Sequence, residues 1–246
     1  VGAGPGGLAL ARTFKTLGID FDVFERHRDV GGVWDPQNEG SPMYESAHFI
    51  SSKTQSHYTD YKMPESYPDY PSNTQILSYM RGFAQTFGLY NDITFNTAVT
   101  STQKVTGGWQ VTLSTGETRP YRWLICVNGT NWHSSLPTWP GEFDGEIRHA
   151  NGYRSMDEFK GRRVLIVGAG NSGCDIACDA AQRADAAFIS LRRGYHFIPK
   201  HLMGKPADVF AAEGPHLPMW LTQMVFGGLL KFLHGDLTRL GLPKPD

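Results

Sequence analysis

The glycine pattern G-x-G-x-x-G occurs twice in this chain, each time where a strand hands over to a helix. No other feature limits the possible folds so tightly. Residues 164–167 (Val-Leu-Ile-Val) form a short apolar, β-branched run of the kind that makes a buried parallel strand. Gly168, Gly170 and Gly173 follow, and residues 174–183 have helical character. Strand, glycine turn and helix, in that order, is what a dinucleotide-binding unit requires. Gly168 permits the tight turn, Gly170 admits a pyrophosphate close to the backbone, and Gly173 lets the helix pack on the strand. The N–H groups of the first helical turn then face the anion.

The chain opens with the same arrangement. Gly2, Gly4 and Gly7 repeat the pattern, with Pro5 and Gly6 between them, and residues 8–17 read as a helix stopped by Gly18. Residues 19–25 alternate as a second strand that ends on Glu25. Its carboxylate falls about twenty residues after the turn, where it can accept hydrogen bonds from a ribose diol. In the second unit the corresponding strand, residues 186–191, runs into Arg192 and Arg193. Guanidinium groups can pair with a 2′-phosphate that Glu25 would repel. The first unit therefore suits an adenosine with a free 2′-hydroxyl, and the second suits NADPH over NADH.

A length of 246 residues allows two modest domains or one large α/β domain. With a formal net charge of −1, nothing suggests a nucleic-acid surface. Three cysteines are too few for a disulfide framework and fit a reduced, cytoplasmic protein. No metal constellation is visible: the nine histidines are scattered, and His196 and His201 are spaced wrongly for one helical face. Ser172 sits in the phosphate turn and is no nucleophile elbow. No signal peptide is visible. Val1 reads as the last residue of a strand, so the chain is expected to be an internal piece of a longer protein.

Between the turns, Gly31 and Gly32 precede Val33 and Trp34, which suggests backbone passing close to a flat ligand. Residues 35–71 are irregular and too long for an idle loop. Residues 72–87 form a helix whose stripe of Ile76, Leu77, Met80, Phe83, Ala84 and Phe87 belongs to the core. Strands at 92–99, 108–113 and 117–121 fit a small antiparallel sheet inserted into the first unit. Residues 123–127 read as a further buried strand leading to Gly129, where backbone can lie near a cofactor. Residues 196–208 read as a loop. Residues 217–233 read as a buried or subunit-facing helix, the latter implying a homodimer, rather than a membrane-contacting one.

The segment Phe143-Asp-Gly-Glu-Ile-Arg-His149-Ala-Asn-Gly-Tyr153 matches F-x-G-x-x-x-H-x-x-x-(Y/F) at every fixed position. With the two glycine turns and the acid-to-G-G-x-W stretch, it makes the chain resemble the flavin-containing monooxygenases. Baeyer–Villiger monooxygenases carry a similar fingerprint ending in Trp, so Tyr153 favours the first family. The resemblance implies two Rossmann-like units in an α/β fold: residues 1–135 for FAD, a linker at 136–160, and residues 161–246 for NADPH. It also implies that a C-terminal part completes both. FAD would lie on Gly2, Gly4, Pro5, Gly6 and Gly7, with Glu25 on its ribose. Gly32, Val33, Trp34, Gly129 and Ser51 would lie near the flavin. NADPH would contact Gly168, Gly170, Ser172, Gly173, Cys174 and Asp175, with Arg192 or Arg193 at its 2′-phosphate. The implied reaction uses NADPH and O₂ to oxygenate a small molecule at soft nitrogen or sulfur, through a peroxyflavin.

Ser51 and His149 are the candidate catalytic residues, His149 being a linker histidine on its bare residues. One departure stands out: the family's Asn before the Ser-Ser-Lys run is Ile50 here, and isoleucine cannot hydrogen-bond. The alternatives are a Baeyer–Villiger oxygenation, a flavin-dependent NADPH oxidase or reductase, or a non-catalytic nucleotide-binding module.

Overall fold

The structure is a computed structural model that describes residues 1–214 and 218–245. Leu217, the start of the last expected helix, lies outside the described residues. In chain order the helices are α1 (Pro5–Leu17), α2 (Lys53–Ser56), α3 (Asn73–Thr86), α4 (Asn171–Arg183), α5 (Ala207–Glu213) and α6 (Met219–His234). The strands are β1 (Val23–Phe24), β2 (Ile93–Thr94), β3 (Val99–Val105), β4 (Gly108–Leu113), β5 (Thr118–Tyr121), β6 (Arg163–Val167), β7 (Ala186–Ser190), β8 (His201–Leu202) and β9 (Lys205–Pro206). They fall into two compact units. The first comprises Val1–Ala47, Tyr58–Tyr61 and Ser72–Ser155; the second comprises His48–His57, Lys62–Pro71 and the chain from Met156 onward.

In the first unit a continuous hydrogen-bonded course carries the glycine turn. β2 pairs in parallel with β1, and Gly2 N–H donates to Phe24 O at 2.9 Å. On the other side Val1 bonds Ile125 O at 2.8 Å and accepts from Val127 N–H at 2.9 Å. The expected strand at 123–127 is not formed, and Trp123 is 74% exposed. The backbone bonds described for this segment are those to Val1. α1 begins with Pro5 at its first position, where the missing N–H costs nothing, and stops at left-handed Gly18. It buries Leu8 and Ala11.

α3 starts with a capping box in which Ser72 and Gln75 satisfy each other's backbone amides. Its predicted stripe is buried from Ile76 to Ala84, with Tyr79 added. Tyr58 stacks on Phe83 at 4.0 Å, and its N–H donates to Tyr79 Oη. β3, β4 and β5 form the expected antiparallel sheet. Its first strand, however, runs through residues 99–105 rather than 92–99. Residues 100–104 are polar, and they and Val105 are exposed, so their strand character leaves no alternating apolar signal. Val111 and Leu113 pack with Phe24 and join this sheet to the unit's core.

In the second unit β6 and β7 pair in parallel from Arg163↔Ala186 to Val167↔Ser190, with α4 connecting them. The expected burial of β6 holds on one face only. Ile166 is buried on the α4 side, whereas Leu165 and Val167 are each 60% exposed. The expected loop at 196–208 contains a β8–β9 hairpin and the start of α5. Its turn uses Met203 and Gly204, both at positive φ, a conformation that Met disguises in sequence. The hairpin region is tied to Ser52, Asp69 and Tyr70 of the same unit. Asp208 accepts from Ser52 N–H at 2.7 Å, His201 contacts Asp69 at 3.0 Å, and Tyr70 donates to Lys200 O. Of the two expectations for α6, buried or subunit-facing, the first does not hold. Of its described residues Leu230 is buried, while Met219, Trp220, Met224, Val225 and Phe232 face outward. Among the described residues, no helix is long and apolar enough to cross a membrane.

Candidate functional site

The two glycine turns have the same construction. Gly2 and Gly168 take φ of +103° and +101°, which L side chains rarely adopt. Each donates its N–H to the end of the neighbouring strand at 2.9 Å, to Phe24 O and Ser190 O respectively. Gly4 and Gly170 then cap 13-residue helices with nearly identical torsions, φ −75° and ψ −172° against φ −76° and ψ −179°. The first intrahelical donors among the residues that follow are Leu8 and Cys174, bonded to Gly4 O and Gly170 O at 3.0 Å. Neither cap has a side chain to compete for the amides before them, which are those a helix N-terminus offers to an anion.

The third glycine of each turn is required by contact. A Cβ on Gly7 would sit 2.0 Å from Gly2 O, and one on Gly173 would sit 2.4 Å from Gly168 O. At Gly170, by contrast, an added Cβ would meet no protein atom within 4 Å. The space beside this helix N-terminus is therefore open, with backbone amides of the kind that attract anions next to it.

Glu25 is buried at the first turn rather than standing at the surface. Its Oε2 accepts from Ala3 N–H at 2.7 Å and its Oε1 from His27 N–H at 2.9 Å. A carboxylate has further lone pairs, so both bonds leave acceptor capacity for a diol. Glu25→Gln should weaken FAD binding and also lower the melting temperature. The amide NH₂ would face a backbone donor, leaving one N–H unpaired at a cost of roughly 1–3 kcal/mol. A flavin titration and a thermal melt check this; unchanged values in both would remove Glu25 from the site.

Gly32, Val33 and Trp34 form a 3₁₀ turn held against the same place. Gly31 N–H donates to Ala3 O at 3.1 Å, and a Cβ on Gly32 would come within 3.1 Å of the Gly4 Cα. Asn38 Nδ2 and Ser41 Oγ donate to Gly32 O and Val33 O at 2.8 and 2.6 Å. The first unit thus brings together Gly2, Gly4, Pro5, Gly6, Gly7, Glu25, Gly32, Val33 and Trp34. Gly129 belongs to the same unit, at φ +74° beside Trp132, whose indole donates to Asn128 O and stacks on His27.

In the second unit Ser172, Gly173, Cys174 and Asp175 occupy the first turns of α4. Burial, with Asp175 and Cys178 nearby, raises the Cys174 thiol above its ordinary pKa. A thiol so disfavoured as a thiolate is a poor redox nucleophile. The turn bond to Ser190 makes Leu191 the register partner of Glu25. Arg192 and Arg193 follow one and two residues later, both exposed, with Arg193 over the Tyr195 ring at 5.5 Å.

Ser51 also lies in the second unit, where its Oγ accepts from Ser56 Oγ at 2.7 Å, and Ile50 beside it is exposed. His149 caps a 3₁₀ turn, its Nδ1 accepting from Asn151 N–H at 3.1 Å, as a linker histidine would. The fingerprint's last residue, Tyr153, is buried against Tyr44, with ring centroids 5.5 Å apart. Arg154 next to it donates to Ser41 O at 3.1 Å. Sequence reasoning missed Arg154 and Arg81, whose partners are distant in the chain.

Fold and site together define an α/β protein with two glycine turns shaped for anionic groups, one of them backed by a buried acid. The chain belongs to the flavin-binding monooxygenase-like family, whose model matches residues 1–218. It is 33% identical to a probable indole-3-pyruvate monooxygenase, YUCCA9, of Arabidopsis thaliana, over 100% of this chain and 59% of that protein. It is 34% identical to human flavin-containing monooxygenase 5, over 85% of this chain and 42% of that one. The chain thus spans about half the length of these curated relatives. In fold it is similar to a flavin-containing monooxygenase from Stenotrophomonas maltophilia, with TM-score 0.73, 23% identity, and 92% and 66% of the two chains covered. A complex of OTEMO with FAD and NADP aligns with TM-score 0.63 at 26% identity, over 79% of this chain and 38% of that one.

Proposed function

We propose that the protein is an NADPH- and O₂-dependent flavoprotein monooxygenase acting on a small molecule at soft nitrogen or sulfur. The observation that carries this reading is the repeated glycine turn: two helix N-termini with nearly the same cap torsions, one followed by Glu25 and the other by Leu191, Arg192 and Arg193. In this reading each turn belongs to a Rossmann-like unit, with residues 1–135 holding FAD, 136–160 linking, and 161–246 holding NADPH. When bound, the two cofactors supply the redox chemistry, hydride from NADPH to flavin and then one atom of O₂ to the substrate.

The protein's residues bind and orient. Gly4, Pro5, Gly6 and Gly7 present amides to the FAD diphosphate, and Glu25 accepts from its ribose. Gly32, Val33, Trp34 and Gly129 line the flavin side. Gly170, Ser172, Gly173, Cys174 and Asp175 receive the NADPH diphosphate, and Arg192 or Arg193 its 2′-phosphate. Ser51 is assigned to the flavin ring and His149 to the linker; neither needs to act as a nucleophile. The raised pKa of Cys174 speaks against a disulfide reductase, which needs a reactive thiolate.

The test is flavin absorbance of the purified protein, followed by NADPH-driven turnover of a thioether or tertiary amine under O₂ and under argon. Oxygen-dependent sulfoxide or N-oxide is expected. NADPH oxidation that releases peroxide alone would point to an oxidase instead, and ketone-to-ester conversion to Baeyer–Villiger chemistry.

A further inference from the structure

α3 carries Leu77 and Arg81 one helical turn apart, on the face directed at the turn that carries Gly31, Gly32, Val33 and Trp34. Leu77 fills the space beside Gly31: a Cβ there would lie 2.5 Å from Leu77 Cδ1. Gly31 itself sits at φ +123°, a backbone conformation that residues with a Cβ rarely adopt. Arg81 grips the turn at both ends. Its Nη2 donates to Asp35 Oδ2 at 3.0 Å, and its Nε lies 2.7 Å from Asp29 Oδ2 without a well-aligned hydrogen bond.

The two carboxylates are themselves wired into the local backbone. Asp35 Oδ1 accepts from Gln37 N–H, and Asp29 Oδ1 accepts from Val30 N–H and Tyr90 Oη. The Asp35 side chain is only 2% exposed. A carboxylate removed from water in this way depends on its cation, and Arg81 is the ion-pair partner seen there.

We propose that Arg81 is a positioning residue: it fixes the 31–34 turn against the first glycine turn and so sets how tightly FAD is held. This rests on the assignment of FAD to that turn. A purely structural arginine would change cofactor affinity only as far as it changes stability. A positioning arginine changes affinity even where stability is kept.

The experiment is titration of the purified, flavin-depleted protein with FAD, followed by flavin fluorescence and paired with thermal melts. Wild type, Arg81→Lys, Arg81→Ala, Asp35→Asn and the Arg81→Ala/Asp35→Asn double variant are compared. Arg81→Ala is expected to weaken FAD binding by about 30-fold or more, because it strands a buried carboxylate at the turn. Arg81→Lys, a cation without the planar fork, should recover part of the affinity. The double variant should regain melting temperature, since the stranded charge is gone, but not FAD affinity, since the tie is gone as well. If Arg81→Ala fails to fold, the double variant carries the same comparison. NADPH affinity should stay the same in every folded variant. Wild-type FAD affinity in a folded variant lacking Arg81 overturns the proposal, as does affinity that merely follows melting temperature. Wild type that takes up no FAD would instead sink the assignment of FAD to this unit.

Discussion

Gly173→Ala should destabilise the protein by about 3 kcal/mol or more, while Gly170→Ala should leave it folded and poor at holding NADPH. Two residues separate these glycines, and their surroundings are opposite. A methyl on Gly173 would lie 2.4 Å from Gly168 O, a backbone atom fixed by its own turn and by the Gly168–Ser190 bond. Relief would require α4 to lift away from β6, uncovering Ile166, the buried residue of that strand. At Gly170 the backbone is extended, any residue adopts those torsions, and the methyl meets nothing. Its cost to the fold is that of a poorer helix cap, about 1 kcal/mol or less. What it does fill is the space assigned to the NADPH diphosphate, so affinity for the coenzyme should fall by roughly 100-fold, or ~2.7 kcal/mol. Thermal melts and direct NADPH titrations separate the two effects. A Gly170→Ala protein that binds NADPH normally would show that the diphosphate lies elsewhere.

That contrast also shows which parts of the site can be read from sequence. The glycine spacing is local, and it correctly placed both turns and the two helices that follow them. Glu25 could be read because a strand end has a fixed offset from its turn. The geometry refines the second offset by one residue, putting Leu191 rather than Arg192 in the acid's register. Elements whose structure depends on distant partners were not legible. Residues 123–127 have a strand's composition, yet they form no strand among the described residues. Residues 100–105 lack a strand's pattern because they form an exposed edge, where β4 supplies the pairing and no core supplies the period. α6 has the composition of a buried helix, but the described residues cover little of it. Arg81 and Arg154 look like ordinary charged residues until Asp35, 46 residues from the first, and Ser41, 113 residues from the second, are brought beside them.

Replacing Arg192 and Arg193 together by alanine should raise the Michaelis constant for NADPH about 10- to 100-fold, the worth of one charge-assisted hydrogen bond or a little more. The constant for NADH should change little, because only the 2′-phosphate distinguishes the two coenzymes. Both arginines are exposed, so the discrimination should shrink as salt rises, which a contact made through shape would not do. Leu191 supplies the complementary test. It occupies the position from which Glu25 reaches back to the first turn, and being apolar it neither attracts a ribose diol nor repels a phosphate. Leu191→Glu should therefore turn the second unit toward the chemistry of the first. A carboxylate there would accept from the 2′- and 3′-hydroxyls of NADH and oppose the 2′-phosphate of NADPH. Combined with the loss of both arginines, it should invert the coenzyme preference, as ratios of kcat/KM for the two coenzymes would reveal. Equal losses with NADH and NADPH in the double alanine variant would free the arginines from this role. An unchanged ratio in Leu191→Glu would mean that the strand-end register does not carry over from the first turn to the second.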